Sequence, residues 1–150
     1  MDTIDKKALA YLTTDGRASW AELGEHLGLS APAAAERVRK LEQQGVIRQF
    51  AAVANPAKAG FPVLAFVFVT LLSQSKRKAF LAAVARTAGI QECHHVAGDD
   101  DYLLKVRCQT MEDLDRLLSE DLKGRMSVAR TRTTVVLGSA KETSALPSLA

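Results

Sequence analysis

The segment SWAELGEHLGLSAPAAAERVRKLEQQG, residues 19–45, decides the fold of the first third of the chain. Ser19 and Glu22 are spaced as in a capping box, in which the hydroxyl and the carboxylate each accept a hydrogen bond from a free backbone N–H. Leu23 begins an apolar stripe at helical spacing, and Gly28 is typical of a residue that ends a helix. The segment therefore opens with a short amphipathic helix.

A second helix follows this one almost at once. Ser30 is a suitable N-cap, and helical spacing places Val38 and Leu41 on the inner side of the new helix. Two helices joined by a turn of about three residues that contains glycine predict a helix-turn-helix. Because residues 3–13 also carry apolar side chains at helical spacing, we expect residues 1–50 to form a DNA-binding domain of this type.

The outer side of the second helix carries the candidate DNA-binding residues. With Val38 buried, Ala33, Glu36 and Lys40 face outward and two arginines flank them. Such a helix could reach phosphates and base edges in a major groove. A solvated charged face is the alternative, but the paired short helices favour DNA. The predicted DNA-binding residues are Ser30, Pro32, Ala33, Glu36, Arg37, Arg39 and Lys40.

The rest of the chain follows a different pattern. Residues 46–53 are predicted as a strand, and residues 51–61, which contain the breaker Asn55-Pro56, as a linker strand and hinge. Strands are then predicted at 62–72, 90–97, 101–108 and 127–137, and helices at 75–87 and 110–122. This βαββαβ order predicts an α+β, ferredoxin-like domain over residues 62–150, with both helices on one face of an antiparallel sheet.

The first strand of this domain is apolar on both sides. Leu64, Phe66 and Phe68 alternate with valine and alanine, whereas a solvated face would carry polar side chains. Exposed apolar patches of this size are rare in monomers. We therefore expect the face without helices to meet a second subunit.

Two further segments contain candidate ligand-binding residues. The turn around Gly98 carries three consecutive aspartates, Asp99, Asp100 and Asp101. An ordinary turn, a cation site and a ligand-facing loop are the alternatives; the spacing of a calcium loop is missing. In the last strand, Thr131 and Thr133 share one face, where their hydroxyls either bind a polar ligand or simply favour a strand.

Bulk composition narrows the classes of function only modestly. The chain has 150 residues and a net charge of +3, but residues 1–50 hold seven basic and seven acidic residues, so a DNA-binding role depends on local clustering. Its two cysteines lack the spacing of a metal site, and we predict reduced thiols in a cytoplasmic protein. The opening residues lack the apolar stretch of a signal peptide, and the longest apolar run, about twelve residues, is too short to span a membrane.

Many short stretches together resemble the Lrp/AsnC family of leucine- and asparagine-responsive regulators. They occur in the family's order over nearly the whole chain: Ile4-Asp5, Asp15-Gly16-Arg17, Glu22-Leu23, Gly28-Leu29-Ser30, Glu36-Arg37-Val38, Leu41-Glu42, Gly45-Val46-Ile47, Asn55-Pro56, Glu92-Cys93-His94, Gly98-Asp99, Asp101-Tyr102-Leu103-Leu104-Lys105 and Thr131-Arg132-Thr133. Each match is weak alone, and the set is highly specific.

This resemblance implies a winged-type helix-turn-helix followed by an amino-acid-sensing domain. It implies dimers through the sheets, often ring-like octamers, and an effector site between dimers. By position, Gly98, Asp99 and Asp101 match the family's effector loop, and Thr131 and Thr133 match its last strand. Together with Asp100 they are the predicted effector-binding residues, with an amino acid as the expected effector and neither a metal nor another cofactor predicted. The chain departs from the family at Asp100, where an aromatic residue is common, and at Ala33-Ala34-Ala35, where many members carry polar or bulkier residues.

The sequence leaves two other classes of function open. In one, the protein is a DNA-binding assembly protein that has no small-molecule effector. In the other, it is a small enzyme in which His94-His95 and the aspartates of the turn transfer protons, although neither a nucleophile–base pair nor a phosphate loop supports it. The leading prediction is a DNA-binding transcriptional regulator whose assembly or DNA affinity responds to an amino acid.

Overall fold

The chain forms two compact units. A computed structural model describes residues 1–143, 145 and 146. The first unit comprises Met1–Val53 together with the described residues from Lys141 onward, and the second comprises Ala54–Ala140. The predicted domain 62–150 also includes residues 144 and 147–150, which lie outside the described residues.

Three helices build the first unit: α1 (Thr3–Thr14), α2 (Trp20–Leu27) and α3 (Ala31–Gln43). The predicted capping box at the start of α2 is confirmed, since Ser19 and Glu22 each accept a hydrogen bond from the other's backbone N–H. Gly28 ends α2 with a φ of 68°, a left-handed conformation that glycine adopts without strain. Ser30 caps α3, as predicted, by accepting a hydrogen bond from the backbone N–H of Ala33.

A separate hydrophobic core holds these helices together. Its members lie on all three helices, except for Ile47, which lies in the segment after α3. They are Ala8, Leu9, Leu12, Leu23, Ala34, Val38, Leu41 and Ile47. The helix-turn-helix is tightest at Gly24, where a β-carbon would lie 2.7 Å from the carbonyl oxygen of Leu29 and 3.2 Å from the backbone nitrogen of Ala31. The turn can therefore pass this close to α2 only because position 24 has no side chain.

The strand predicted at residues 46–53 is wrong. Residues 48–53 are extended coil, and the exposed fractions of Phe50 and Val53 are 45% and 94%. A strand needs a neighbour to accept and donate its backbone hydrogen bonds, and the described residues provide none for this segment. The linker strand predicted within residues 51–61 is absent for the same reason, and a short turn capped by Asn55 follows instead.

The second unit is built around a four-stranded antiparallel sheet. Its strands are β1 (Val63–Leu71), β2 (Ile90–His95), β3 (Tyr102–Cys108) and β4 (Val128–Val135), in the spatial order β2-β3-β1-β4. A short 3₁₀ turn, Gln74–Lys76, leads into α4 (Arg77–Val84). Helix α5 (Met111–Arg116) continues as a π-helix, Leu117–Arg125. The predicted ferredoxin-like βαββαβ order is confirmed.

Both helices pack on one face of this sheet. Val67 and Val69 of β1 are fully buried there, together with Phe80 of α4 and Leu114 of α5. The opposite face, which we call the open face, carries the side chains that alternate with these. Its members on β1, β3 and β4 are Leu64, Phe66, Phe68, Thr70, Leu103, Lys105, Arg107, Arg130, Arg132 and Thr134.

The tight turn makes a prediction about Gly24. Alanine is normally favoured over glycine inside a helix by about 1 kcal/mol. We nevertheless expect Gly24→Ala to lower the thermal unfolding midpoint, because the new methyl group must push the backbone of the turn away from α2. Circular dichroism of the full chain measures the midpoint. Gly16→Ala is the matched control, since its β-carbon would lie no nearer than 3.6 Å to a neighbouring atom. An unchanged or higher midpoint for Gly24→Ala would contradict this account of the turn.

Candidate functional site

The outer side of α3 is a candidate nucleic-acid interface. Pro32, Ala33, Glu36, Arg39 and Lys40 are exposed, while the opposite side of the helix is buried in the core of the unit. Arg39 donates to Glu36 over 2.8 Å, an ion pair one helical turn long with both side chains more than half exposed. Since exposed pairs of this kind are weak, both side chains remain available for other partners.

Arg37 has a different environment from the other predicted DNA-binding residues. Its side chain is only 31% exposed, and its Nη1 donates to Asp2 over 2.8 Å and to Asp5 over 2.7 Å. The same two aspartates form the capping box of α1. The hydrogen bonds that Arg37 donates to the two carboxylates raise its pKa above its ordinary value. Arg37 therefore joins α3 to the start of α1 within the protein.

The aspartate turn places its three carboxylates in three different environments. Gly98, with a φ of 142°, and Asp99 are exposed at its tip. Asp101 accepts hydrogen bonds from the backbone N–H of Leu71 over 2.8 Å and from the Gln74 amide over 3.2 Å. The three aspartates thus do not converge on a single point, and the described residues contain no group of three His, Cys, Asp or Glu side chains that could hold a metal ion.

Asp100 is the buried member of the turn, with only 8% of the residue exposed. Arg132 donates to its Oδ2 over 3.0 Å, and Arg130 and Thr70 donate to its Oδ1 over 3.4 and 3.1 Å. The hydrogen bond from Arg132, followed by that from Thr70 and the nearby arginine charges, holds the pKa of Asp100 below its ordinary value near 3.8. The carboxylate is ionised and satisfied within the chain.

The sheet register separates two of the predicted effector residues from Asp100. Thr131 pairs with Val69 and Thr133 with Val67, which places both half-buried threonines on the helix side of the sheet. The arginines that hold Asp100 alternate with them and lie on the open face. The six predicted effector residues therefore do not form one cluster, because the two threonines and the partners of Asp100 lie on opposite faces of the sheet.

Comparisons with known proteins agree over most of the chain. Residues 1–42 match the AsnC-type helix-turn-helix domain, and residues 64–146 match the Lrp/AsnC ligand binding domain. The leucine-responsive regulatory protein of Salmonella typhimurium is 42% identical over 148 residues, which cover 97% of this chain and 90% of that protein. The chain belongs to the Lrp/AsnC family of transcriptional regulators.

Solved structures of Lrp/AsnC proteins have the same fold. A transcriptional regulator of Neisseria meningitidis in complex with L-Met has a TM-score of 0.92 at 29% identity, covering 98% of this chain and 96% of that one. The leucine response regulatory protein of Mycobacterium tuberculosis has a TM-score of 0.83 at 33% identity, covering 95% and 96%. The family resemblance and the α+β architecture predicted from the sequence are thus confirmed.

The histidines of the alternative enzyme hypothesis do not meet the aspartate turn in this Lrp/AsnC chain. His94 forms a hydrogen bond with Glu92 over 3.0 Å, which is the first cause of the lowered pKa of that glutamate. His95 packs instead against the ring of Tyr102, with 5.3 Å between ring centroids.

Across residues 1–143, 145 and 146, no helix is both long and apolar enough to cross a membrane.

Sequence reasoning missed the residues that organise these surfaces. Asp2 and Asp5 were not connected with Arg37, because 32 or more residues separate them in the chain. Strand alternation places Arg130 and Arg132 on the face opposite Thr131, but nothing in the alternation identifies Asp100 as their partner. The available signal was the replacement of a common aromatic residue by Asp100 in a chain with arginines at two alternating positions of the last strand.

The contacts of Arg37 with Asp2 and Asp5 predict that loss of its charge destabilises the first unit. We expect Arg37→Gln to lower the thermal unfolding midpoint at pH 7, because it removes the cation that joins α3 to Asp2 and Asp5. Arg39→Gln is the matched control, since its loss breaks only an exposed pair and should change the midpoint little. The pKa of Asp2 is lowered by the backbone N–H of Asp5 and by Arg37, so the stabilisation is complete above its ordinary value near 3.8 and is lost as the pH falls through the lowered pKa. Equal midpoints for Arg37→Gln and the wild type at pH 7 would show that the contact has no structural role.

Proposed function

We propose that this chain is a sequence-specific DNA-binding regulator whose assembly or DNA affinity responds to an amino acid. The observation that carries the DNA-binding part is the cationic, exposed side of α3, presented by a helix that is buried on its other side and follows a tight turn. Among the predicted contacts, Ser30, Pro32 and Ala33 lie at the N-terminal end of α3, where the small side chain of Ala33 allows close approach to a duplex. Glu36, Arg39 and Lys40 supply the polar groups that reach base edges and phosphates.

Arg37 has a positioning role in this proposal. Because its guanidinium is held by two carboxylates of α1, it sets the orientation of α3, and its loss acts on DNA binding through the structure of the unit. The phosphate contacts are assigned to Arg39 and Lys40, which are exposed on the same helix. A dimer would present two such helices to half-sites about one helical turn of DNA apart.

Removing the two exposed cations tests this assignment. We expect Arg39→Gln/Lys40→Gln to reduce affinity for DNA and to reduce the slope of log K against log salt by about 0.9 for each phosphate that the protein no longer neutralises. Fluorescence anisotropy at several salt concentrations gives the slope, with a labelled random-sequence duplex of about 30 base pairs, long enough for two half-sites. Lys123→Gln, an exposed lysine on the π-helix of the second unit, is the control. If the double variant kept the wild-type slope, α3 would not be the DNA-binding helix.

The effector part of the proposal is supported by the aspartate turn and by the relatives. A neighbouring structure contains L-Met, and several relatives are leucine-responsive regulators, so a small amino acid is the proposed ligand. Gly98 and Asp99 are the exposed residues of the turn, and the Asp99 carboxylate is suited to the ammonium group of an amino acid. Thr131 and Thr133 lie on the helix side of the sheet, where their hydroxyls would bind the effector only from that side.

Asp99 is therefore the residue to test for effector binding. We expect Asp99→Asn to abolish the response to L-leucine and L-methionine while DNA binding in their absence persists, because the ammonium group loses its counter-charge. Isothermal titration calorimetry measures the amino-acid affinity, and anisotropy measures DNA binding. Glu120→Gln removes an exposed carboxylate from the π-helix and serves as the control. Undiminished amino-acid affinity in Asp99→Asn would exclude the turn as the binding site.

A DNA-binding assembly protein without an effector is the second candidate function. It is favoured by Asp100 and Asp101, two carboxylates of the turn that already have partners within the chain. A thermal-shift screen of the twenty amino acids separates the two candidates, because a ligand that binds the folded state raises the unfolding midpoint. Either candidate is a binding function, and we propose no catalytic activity.

We propose a homodimer through the open face, with an octamer as a higher assembly.

A further inference from the structure

Asp100 differs from its neighbour Asp99 in its burial and in its contacts. Its neighbour Asp99 is exposed, whereas the side chain of Asp100 is only 6% exposed and is bound by three donors on two strands. An ionised carboxylate at this level of burial requires such partners, because leaving it unpaired costs its full desolvation free energy. Asp100 is therefore a structural contact of the turn and has little surface left for a ligand.

The partners of Asp100 all belong to the open face. In the sheet register, Arg132 pairs with Phe68 and Arg130 with Thr70, so these four side chains lie side by side. The guanidinium of Arg132 also lies over the ring of Phe68, with 4.0 Å from its central carbon to the ring centroid. One carboxylate thus connects the turn to a charged and aromatic patch on the face that we propose for self-association.

The turn is held at this point and free at its tip. The backbone N–H of Asp101 donates to Val69 over 2.9 Å, and the Asp101 side chain accepts from Leu71, so β1 holds the turn on this side. Gly98 and Asp99, at the other side, have no such contacts among the described residues and are exposed. The segment that contains Asp100 thus connects the tip of the turn to the open face.

The two arginines remain accessible to solvent. Both are more than 60% exposed although each donates to the buried carboxylate. In a self-associated state their charges lose water, and the Asp100 carboxylate offsets one of the two positive charges of the arginine pair. If a ligand displaces the turn, Asp100 moves away and the arginine pair loses its one counter-charge. Self-association then becomes less favourable, because the contact that held the turn in place also supplied the counter-charge for the arginines.

From this geometry we infer that Asp100 is a positioning residue that couples the effector turn to self-association at the open face, through Arg130 and Arg132. The inference rests on the proposed function, since it names the residue by which effector binding would change assembly. Coupling between two sites is reciprocal: if assembly changes amino-acid affinity by some factor, the amino acid changes assembly by the same factor. That factor can be measured without knowledge of the DNA sequence that the protein recognises.

The experiment compares wild type, Asp100→Asn, Arg132→Gln and the double variant. Sedimentation velocity first locates the protein concentration at which each chain self-associates. Calorimetry with L-leucine and L-methionine then measures affinity below and above that concentration, and the ratio of the two affinities is the coupling factor. We expect a factor on the order of ten in the wild type, within the usual range for coupled sites, and a factor within about twofold of one in Asp100→Asn.

The other variants test whether the coupling passes through the contact between Asp100 and Arg132. Arg132→Gln changes an exposed side chain and keeps the test available if Asp100→Asn does not fold; it should also reduce the coupling factor. The double variant should show no smaller coupling factor than Asp100→Asn, because both changes break the same hydrogen bond. Glu120→Gln, with the same loss of charge elsewhere, should retain the wild-type factor.

Three results would overturn the inference. A wild-type coupling factor in Asp100→Asn would show that the carboxylate does not connect the two surfaces. Loss of amino-acid binding in Asp100→Asn, with an unchanged unfolding midpoint, would show that Asp100 contacts the ligand. If neither amino acid produced binding heat with the wild type, and the screen of all twenty raised no midpoint, the effector part of the proposed function would fail, and the inference with it. The first two results leave the proposed function intact.

Discussion

A four-stranded sheet with both helices of its unit on one side has a face that α4 and α5 do not cover. Apolar side chains on β1 point both ways, and only those that face α4 and α5 enter the main core of the second unit. Phe66 and Phe68, on the other side, remain half-buried. The hydrophobic effect makes such a surface unfavourable in water, so this one constraint accounts for the expectation of self-association.

The charged cluster is less unfavourable on that surface because the Asp100 carboxylate offsets one of its two arginine charges. Arg130 and Arg132 lie among aromatic and aliphatic side chains, and the buried Asp100 carboxylate lies within hydrogen-bonding distance of both. The carboxylate comes from the turn that follows β2, whereas the arginines come from the last strand. Two parts of the chain that are 30 residues or more apart thereby become one electrostatic unit.

The first unit depends on a different constraint, which is the short distance between α2 and the turn before α3. Gly24 allows that distance, and the core below it fixes which side of α3 faces outward. Arg37 then joins α3 to the N-terminal end of α1 through two carboxylates that also cap that helix. The exposed cations that remain on α3, Arg39 and Lys40, are the ones suited to a polyanion.

The sequence by itself determined the local elements, because their signals are local. Capping residues, glycine stops and apolar periodicity act within a few residues, and they located α2, α3 and all four strands of the sheet to within two residues at most ends. Only the tertiary structure decided the partners of Arg37 and Asp100, since an ion pair between distant residues depends on how elements pack. It also decided that residues 46–53 are not a strand, because strand formation requires a neighbouring strand that no local pattern can supply.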